Sequence, residues 1–161
     1  MTNGRFLIYG VYGYTGELIA RYAAERGLAP VVAGRNEAKT RAIAEQHGFE
    51  HRVFALDDLA AIDAALAEVD VVLHCAGPFS LTSRPMVEAC LRNKKHYTDI
   101  TGEIAVFEAC AERDKQAHDA GVMLMPGVGF DVVPSDCLAK HLKDRLPTAT
   151  HLTLEIGRAH V

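Results

Sequence analysis

The stretch Gly10-Val11-Tyr12-Gly13-Tyr14-Thr15-Gly16 decides how this chain is read. It follows the short apolar run Phe6-Leu7-Ile8-Tyr9. It opens a segment, residues 15–26, in which Leu18, Ile19, Tyr22 and Ala23 share one helical face and Gly27 supplies the stop. Three glycines between a strand and a helix each have a physical task. Gly10 permits a tight exit from the strand. Gly13 lets the backbone approach a pyrophosphate with no Cβ in the way. Gly16 lets the helix pack closely on the strand. The unpaired N–H groups and the positive end of the helix dipole then attract phosphate. The expected ligating set here is Gly10, Tyr12, Gly13, Tyr14, Thr15 and Gly16.

Outward from this loop, strand-like and helix-like segments alternate. Residues 31–33, 53–55, 71–76, 96–100 and 122–125 read as further strands. They are near-continuous apolar runs, the pattern of strands buried on both faces. Helices are expected over 36–46 with Asn36 as cap, from Asp57 or Asp58 to Glu68, from Ser83 and Pro85 to Arg92, and over 103–120. Right-handed crossovers between six such strands give an α/β fold: a Rossmann-type, doubly wound, mostly parallel six-stranded sheet.

About 20 residues past the loop, a chain that binds the unphosphorylated ribose carries a carboxylate. Ala33-Gly34-Arg35-Asn36 stands there instead. The planar guanidinium of Arg35 suits a 2′-phosphate, which a carboxylate would repel. The reading is NADP in preference to NAD, with Arg35 and Asn36 as ligands; the G-x-x-G-x-x-G spacing leans the same way. Lys39 and Arg41 are candidates to assist, and solvent-facing positions suit them better. Asp57 either contacts the adenine edge or caps a helix.

In an open parallel sheet, chemistry sits beyond the carboxyl ends of the strands. Ala76, Gly77 and Pro78 follow the fourth strand and would line the nicotinamide end. Asp99, Glu103 and Asp131 are the ionisable candidates for touching substrate. Glu103 could instead favour a helix N-terminus, and Asp131 could cap a turn. No tyrosine is followed four residues later by lysine, and no G-x-S-x-G elbow occurs, so those two chemistries are not supported.

The chain has 161 residues, 49% of them hydrophobic and 24% charged, the profile of a globular domain. A net charge of −4 argues against a nucleic-acid footprint. No apolar run reaches the ~18 residues of a membrane span, and nothing resembles a signal peptide, so a cytoplasmic protein is expected. Cys75, Cys90, Cys110 and Cys137 show no C-x-x-C spacing and read as reduced, packed thiols. His47 and His51 are separated by a helix-ending Gly48, so no metal site is expected.

Residues 134–146 read as one more helix. Leu152, Leu154 and Ile156 then alternate with polar residues, the mark of a strand with one wet face. Such a strand alone satisfies neither its edges nor its apolar side. The expectation is a dinucleotide domain over 1–133 and, over 134–161, the helix and strand that begin a second, α+β domain. Either the chain is a fragment of a longer one, or the strand pairs across a homodimer.

Taken jointly, the glycine loop, Ala33-Gly-Arg-Asn36, Cys75-Ala-Gly-Pro-Phe79, Val87-Glu-Ala-Cys90, His96-Tyr-Thr-Asp-Ile-Thr-Gly-Glu103 and Gly127-Val-Gly-Phe-Asp-Val-Val-Pro-Ser-Asp136 resemble the saccharopine dehydrogenase-like oxidoreductases. That family includes bacterial members described as trans-acting enoyl reductases. The resemblance runs over about residues 1–156. It implies an NADP-binding domain followed by an α+β domain that shapes a small-molecule pocket and a dimer. It does not imply saccharopine as substrate. An alternative is a non-catalytic NADP sensor or partner-binding module using the same loop.

Overall fold

The computed structural model describes residues 4–130 and 132–153. Their elements run β1 (Phe6–Tyr9), α1 (Tyr14–Glu25), β2 (Val31–Gly34), α2 (Glu37–His47), β3 (Glu50–Val53), α3 (Leu59–Leu66), β4 (Val71–His74), α4 (Phe79–Asn93), β5 (His96–Asp99), α5 (Ile104–Ala111), α6 (Asp114–Ala120), β6 (Leu124–Met125) and α7 (Val133–Arg145). The six strands form one sheet in the order β3-β2-β1-β4-β5-β6, and every pairing is parallel. The chain winds outward from β1 through β2 to β3, returns to β4 and winds the other way. The carboxyl ends of β1 and β4 therefore flank a point from which the following loops diverge, where an open α/β sheet leaves a crevice.

Strand periodicity divides the core into two layers. Leu7, Tyr9, Val31 and Ala33 point to the face covered by α3, α4 and α5, where Ile62, Leu66, Met86, Val87 and Val106 are buried. Ile8 and Val32 point to the opposite face and meet Ala20 of α1 and Ile43 and Ala44 of α2. A one-residue slip of β1 would exchange these layers, so the alternating burial fixes the register.

Three expectations need correction. The third strand is three residues earlier than expected, at Glu50–Val53, because β3 is an edge strand with no core to fill on both faces. Phe54, taken as its centre, instead leaves the strand and packs its ring 4.9 Å from that of Tyr9. The fourth helix starts at Phe79, so Pro85 lies inside it rather than at its start. The expected long helix 103–120 is two helices, broken at Glu112 and Arg113. Of the two cap candidates for α3, Asp58 is the cap: its carboxylate accepts the Ala61 amide at 3.0 Å. The alternating strand expected around 152–156 falls mostly outside the described residues, and residues 151–153 form no strand.

Candidate functional site

The loop after β1 is held by β2. The amides of Gly10 and Val11 donate to the Ala33 carbonyl at 2.8 and 3.2 Å. Gly10 takes a φ of +83°, and a Cβ there would lie 2.8 Å from the Ala76 backbone nitrogen. The turn after β1 is thereby pressed against the turn after β4. A Cβ on Gly16 would lie 2.9 Å from the Val11 Cα, which fixes how closely α1 approaches the strand. Gly13 is different. Its φ of −78° suits any residue, and the tightest neighbour of a Cβ there would be the Gly10 carbonyl oxygen at 3.3 Å. The fold therefore makes little demand for glycine at position 13.

Gly13 is also the N-cap of α1, and no side chain caps that helix. The first amides of α1 point out of the loop with the positive end of the helix dipole behind them. A diphosphate fits this cradle: amide donors are present, and no side chain occupies position 13.

A cavity of about 350 Å³ runs from Gly10, Tyr12 and Gly13 across Arg35 to Ala76, Gly77 and Pro78. A neighbouring one of about 370 Å³ joins Arg35 to Asp57, Leu81 and Pro85. Tyr9 lies on both. Its hydroxyl donates to the Phe54 carbonyl at 3.2 Å, and burial foremost pushes its pKa up to about 12, so it lines the wall in its neutral form. Sequence reasoning missed Tyr9 as a lining residue, although its place as the last residue of β1 is the signal.

The expected adenine-side residues gather at the end of β2. Arg35 is exposed and bonded to no carboxylate among the described residues. Asn36 spends its side-chain oxygen on the Lys39 amide at 3.0 Å, as cap of α2. Asp57, relieved of capping by Asp58, lines the second cavity. The Tyr12 ring packs over Gly34, where a Cβ would strike it, and the Lys39 ammonium lies 5.8 Å from the ring centroid. Arg41 is paired with Glu37. Tyr14 is 88% exposed at the mouth of the loop.

The match to the family model described as the saccharopine dehydrogenase NADP binding domain covers residues 6–125, and so takes in the loop, Arg35, Asp57 and the Ala76–Pro78 turn. The chain belongs to the saccharopine dehydrogenase NADP-binding domain family. Two relatives bracket the likeness. A lipid droplet localized protein of Caenorhabditis elegans is 30% identical over 157 residues, which is 89% of this chain and 37% of that protein. A trans-acting enoyl reductase of Mycobacterium tuberculosis (strain ATCC 25618 / H37Rv) is 30% identical over 138 residues, 81% of this chain and 33% of that one. Apo saccharopine dehydrogenase (L-Glu forming) from Saccharomyces cerevisiae shares the fold, with a TM-score of 0.78 over 91% of this chain and 32% of that one at 22% identity. The chain thus spans about a third of the length of the relatives it matches. Named members of the family are oxidoreductases.

In this saccharopine dehydrogenase-type domain, the ionisable candidates for chemistry are committed elsewhere. Asp99 is fully buried; one carboxylate oxygen accepts the Tyr97 hydroxyl at 2.7 Å, the other the Thr101 and Gly127 amides at 3.0 and 2.8 Å. It clamps the loop after β5 to the loop after β6. Glu103 accepts the Phe79 and Ser80 amides at 2.7 and 2.9 Å, capping α4 from another loop. Hydrogen bonding from Ser80 and Phe79 holds its pKa below the usual carboxylate range. Asp131 lies outside the described residues. Burial, aided by Asp99, pushes the Cys75 thiol up to about 12, so it is no nucleophile. Among the described residues no group of acids, histidines and cysteines is placed to hold a metal ion, and no helix is long and apolar enough to cross a membrane.

Proposed function

We propose that this chain seats NADP(H) along the carboxyl edge of β2, β1 and β4, as the cofactor half of an oxidoreductase acting on a small molecule. The α1 amides at Tyr14, Thr15 and Gly16 receive the pyrophosphate, with Gly13 beneath it; the Gly13 amide itself donates to the Gly10 carbonyl at 3.0 Å. The Arg35 fork, with Asn36 at the same helix start, receives the 2′-phosphate. Asp57 faces the adenosine end, and Tyr12 packs beside it. Ala76, Gly77 and Pro78 form the wall at the nicotinamide end and keep water from one side of it. When bound, the nicotinamide supplies or accepts the hydride; the residues here orient it and set its electrostatics.

The observation that carries this reading is the pairing of two features on one cavity. One is an uncapped helix start whose central glycine the fold demands only weakly. The other is an exposed arginine where a carboxylate would serve the unphosphorylated cofactor. Arg35→Asp tests it. NADPH affinity should fall by about a hundredfold while NADH affinity stays within about threefold, as expected for loss and reversal of a charge-assisted phosphate pair. Equal losses for both overturn the assignment.

Residues 134–161 begin a second unit that completes the substrate pocket and pairs two copies of the chain in a cytoplasmic homodimer. In support, α7 buries none of its residues and leaves Leu138, Leu142 and Leu146 exposed. A second reading, a non-catalytic NADP sensor, draws on one observation: Asp99 and Glu103 spend their oxygens on structural hydrogen bonds. Substrate-dependent loss of NADPH absorbance by the chain joined to its following domain favours the enzyme. NADPH-dependent change in partner affinity without turnover favours the sensor.

A further inference from the structure

One hydroxyl bridges two carbonyls of the turn between β4 and α4. Thr82, in the first turns of α4, places its Oγ1 2.6 Å from the Ala76 carbonyl oxygen and 3.0 Å from that of Pro78. The same Oγ1 lies 3.0 Å from Nε2 of His74, the last residue of β4. Both carbonyls can only accept, so the single hydroxyl proton is directed at them. His74 must then carry its own proton on Nε2 and donate it to Thr82.

Three further observations agree with that direction. His74 is fully buried, between the Tyr9 ring at 5.5 Å and the Phe79 ring at 5.4 Å. Its Nδ1 is buried with no partner, which a bare acceptor nitrogen tolerates better than an N–H would. Burial pulls its pKa down to about 4, so it is neutral at pH 7.

We propose that Thr82, oriented by His74, is a positioning residue that sets the nicotinamide-end wall at Ala76, Gly77 and Pro78. The inference rests on the cofactor reading above. Gly77 and Pro78 are exposed and have no other side-chain anchor among the described residues apart from Glu103, which grips the chain one residue further on. Thr82 touches neither cofactor nor substrate in this account; it acts through the two carbonyls it holds.

Two ligands separate the inference from the cofactor reading: NADPH, and 2′-phospho-ADP-ribose, which has every part of the cofactor except the nicotinamide. Thr82→Val keeps the shape and removes the hydroxyl. It should weaken NADPH by about tenfold, and 2′-phospho-ADP-ribose by no more than about twofold. Thr82→Ser, which restores the hydroxyl, should recover most of the NADPH affinity. Equal weakening of both ligands, or no weakening of NADPH, overturns the positioning role and leaves the cofactor reading standing. Failure of either ligand to bind the unaltered chain overturns the cofactor reading and this inference with it. Should Thr82→Val not fold, the imidazole ¹⁵N spectrum of the unaltered chain decides. A protonated Nε2 and a bare Nδ1 at pH 7 support the orientation of Thr82 by His74; the opposite tautomer or an imidazolium refutes it.

Discussion

The carboxylate of Glu103 accepts the backbone amide of Phe79 at 2.7 Å, across 24 residues of sequence. With its other oxygen on the Ser80 amide, it caps α4 from a loop that belongs to β5. Two loops at the carboxyl edge of the sheet are thus fastened to each other, and the turn that precedes α4 is held between this cap and Thr82.

Removing the Glu103 cap should loosen this edge before it affects the rest. Glu103→Ala is expected to lower the melting temperature and to speed hydrogen exchange at the Phe79 and Ser80 amides, with the amides of β1 still protected. Glu103→Gln, which keeps one good acceptor, should fall between the two. The lowered pKa gives the pH sense. Stability from this cap is present above the ordinary glutamate range and is lost as pH falls through the lower folded value. Unchanged exchange in Glu103→Ala would show that the cap holds nothing.

The three loop glycines should answer differently to substitution. Gly10→Ala must adopt a φ of +83° and press on the Ala76 backbone, and should cost about 2–3 kcal/mol in denaturant unfolding. Gly13→Val has an ordinary φ and meets only the Gly10 carbonyl oxygen, 3.3 Å from its Cβ, so it should cost less in unfolding than Gly10→Ala while abolishing NADPH binding. Gly16→Ala should destabilise, because α1 would have to move off Val11. Retained NADPH affinity in a folded Gly13→Val chain would show the loop to be an ordinary turn.

His74 should make the fold acid-sensitive. Its folded pKa of about 4 lies below the ordinary histidine value of 6.5. The unfolded chain therefore takes up the proton first, and stability falls as pH drops from about 6.5 towards 4. The full depression is worth about 3 kcal/mol. Unfolding measured at pH 7 and pH 4 on the chain and on His74→Gln, which cannot titrate, isolates this contribution. Equal pH slopes in the two would contradict the buried, neutral imidazole.

The parts of this domain that rest on local pattern were legible in the sequence. The glycine loop, the apolar strands and the αL-terminated helices, such as the one ending at Gly48, follow from spacing and residue type. The misread parts depend on distant partners. The start of α4 at Phe79 is set by Glu103, so local capping rules pointed to Ser83 and Pro85 instead. The edge strand β3 uses Glu50, His51 and Arg52, residues with no apolar signature, because pairing with β2 alone makes them a strand. At the site, Arg35 and Asp57 were expected from their positions after β2 and β3, and both line one cavity. Asp99 and Glu103 looked like chemistry and are fasteners. Tyr9, His74 and Thr82 carried no site signal, since nothing in the sequence brings Thr82 to the carbonyls it holds.

Calorimetric titration of the folded, unaltered chain with NADPH and with NADH is decisive for the cofactor site. Saturable heat is expected with NADPH, with an affinity at least about tenfold tighter than for NADH, the difference contributed by Arg35 at the 2′-phosphate. No binding heat with either coenzyme, on material shown to be folded, would rule that site out.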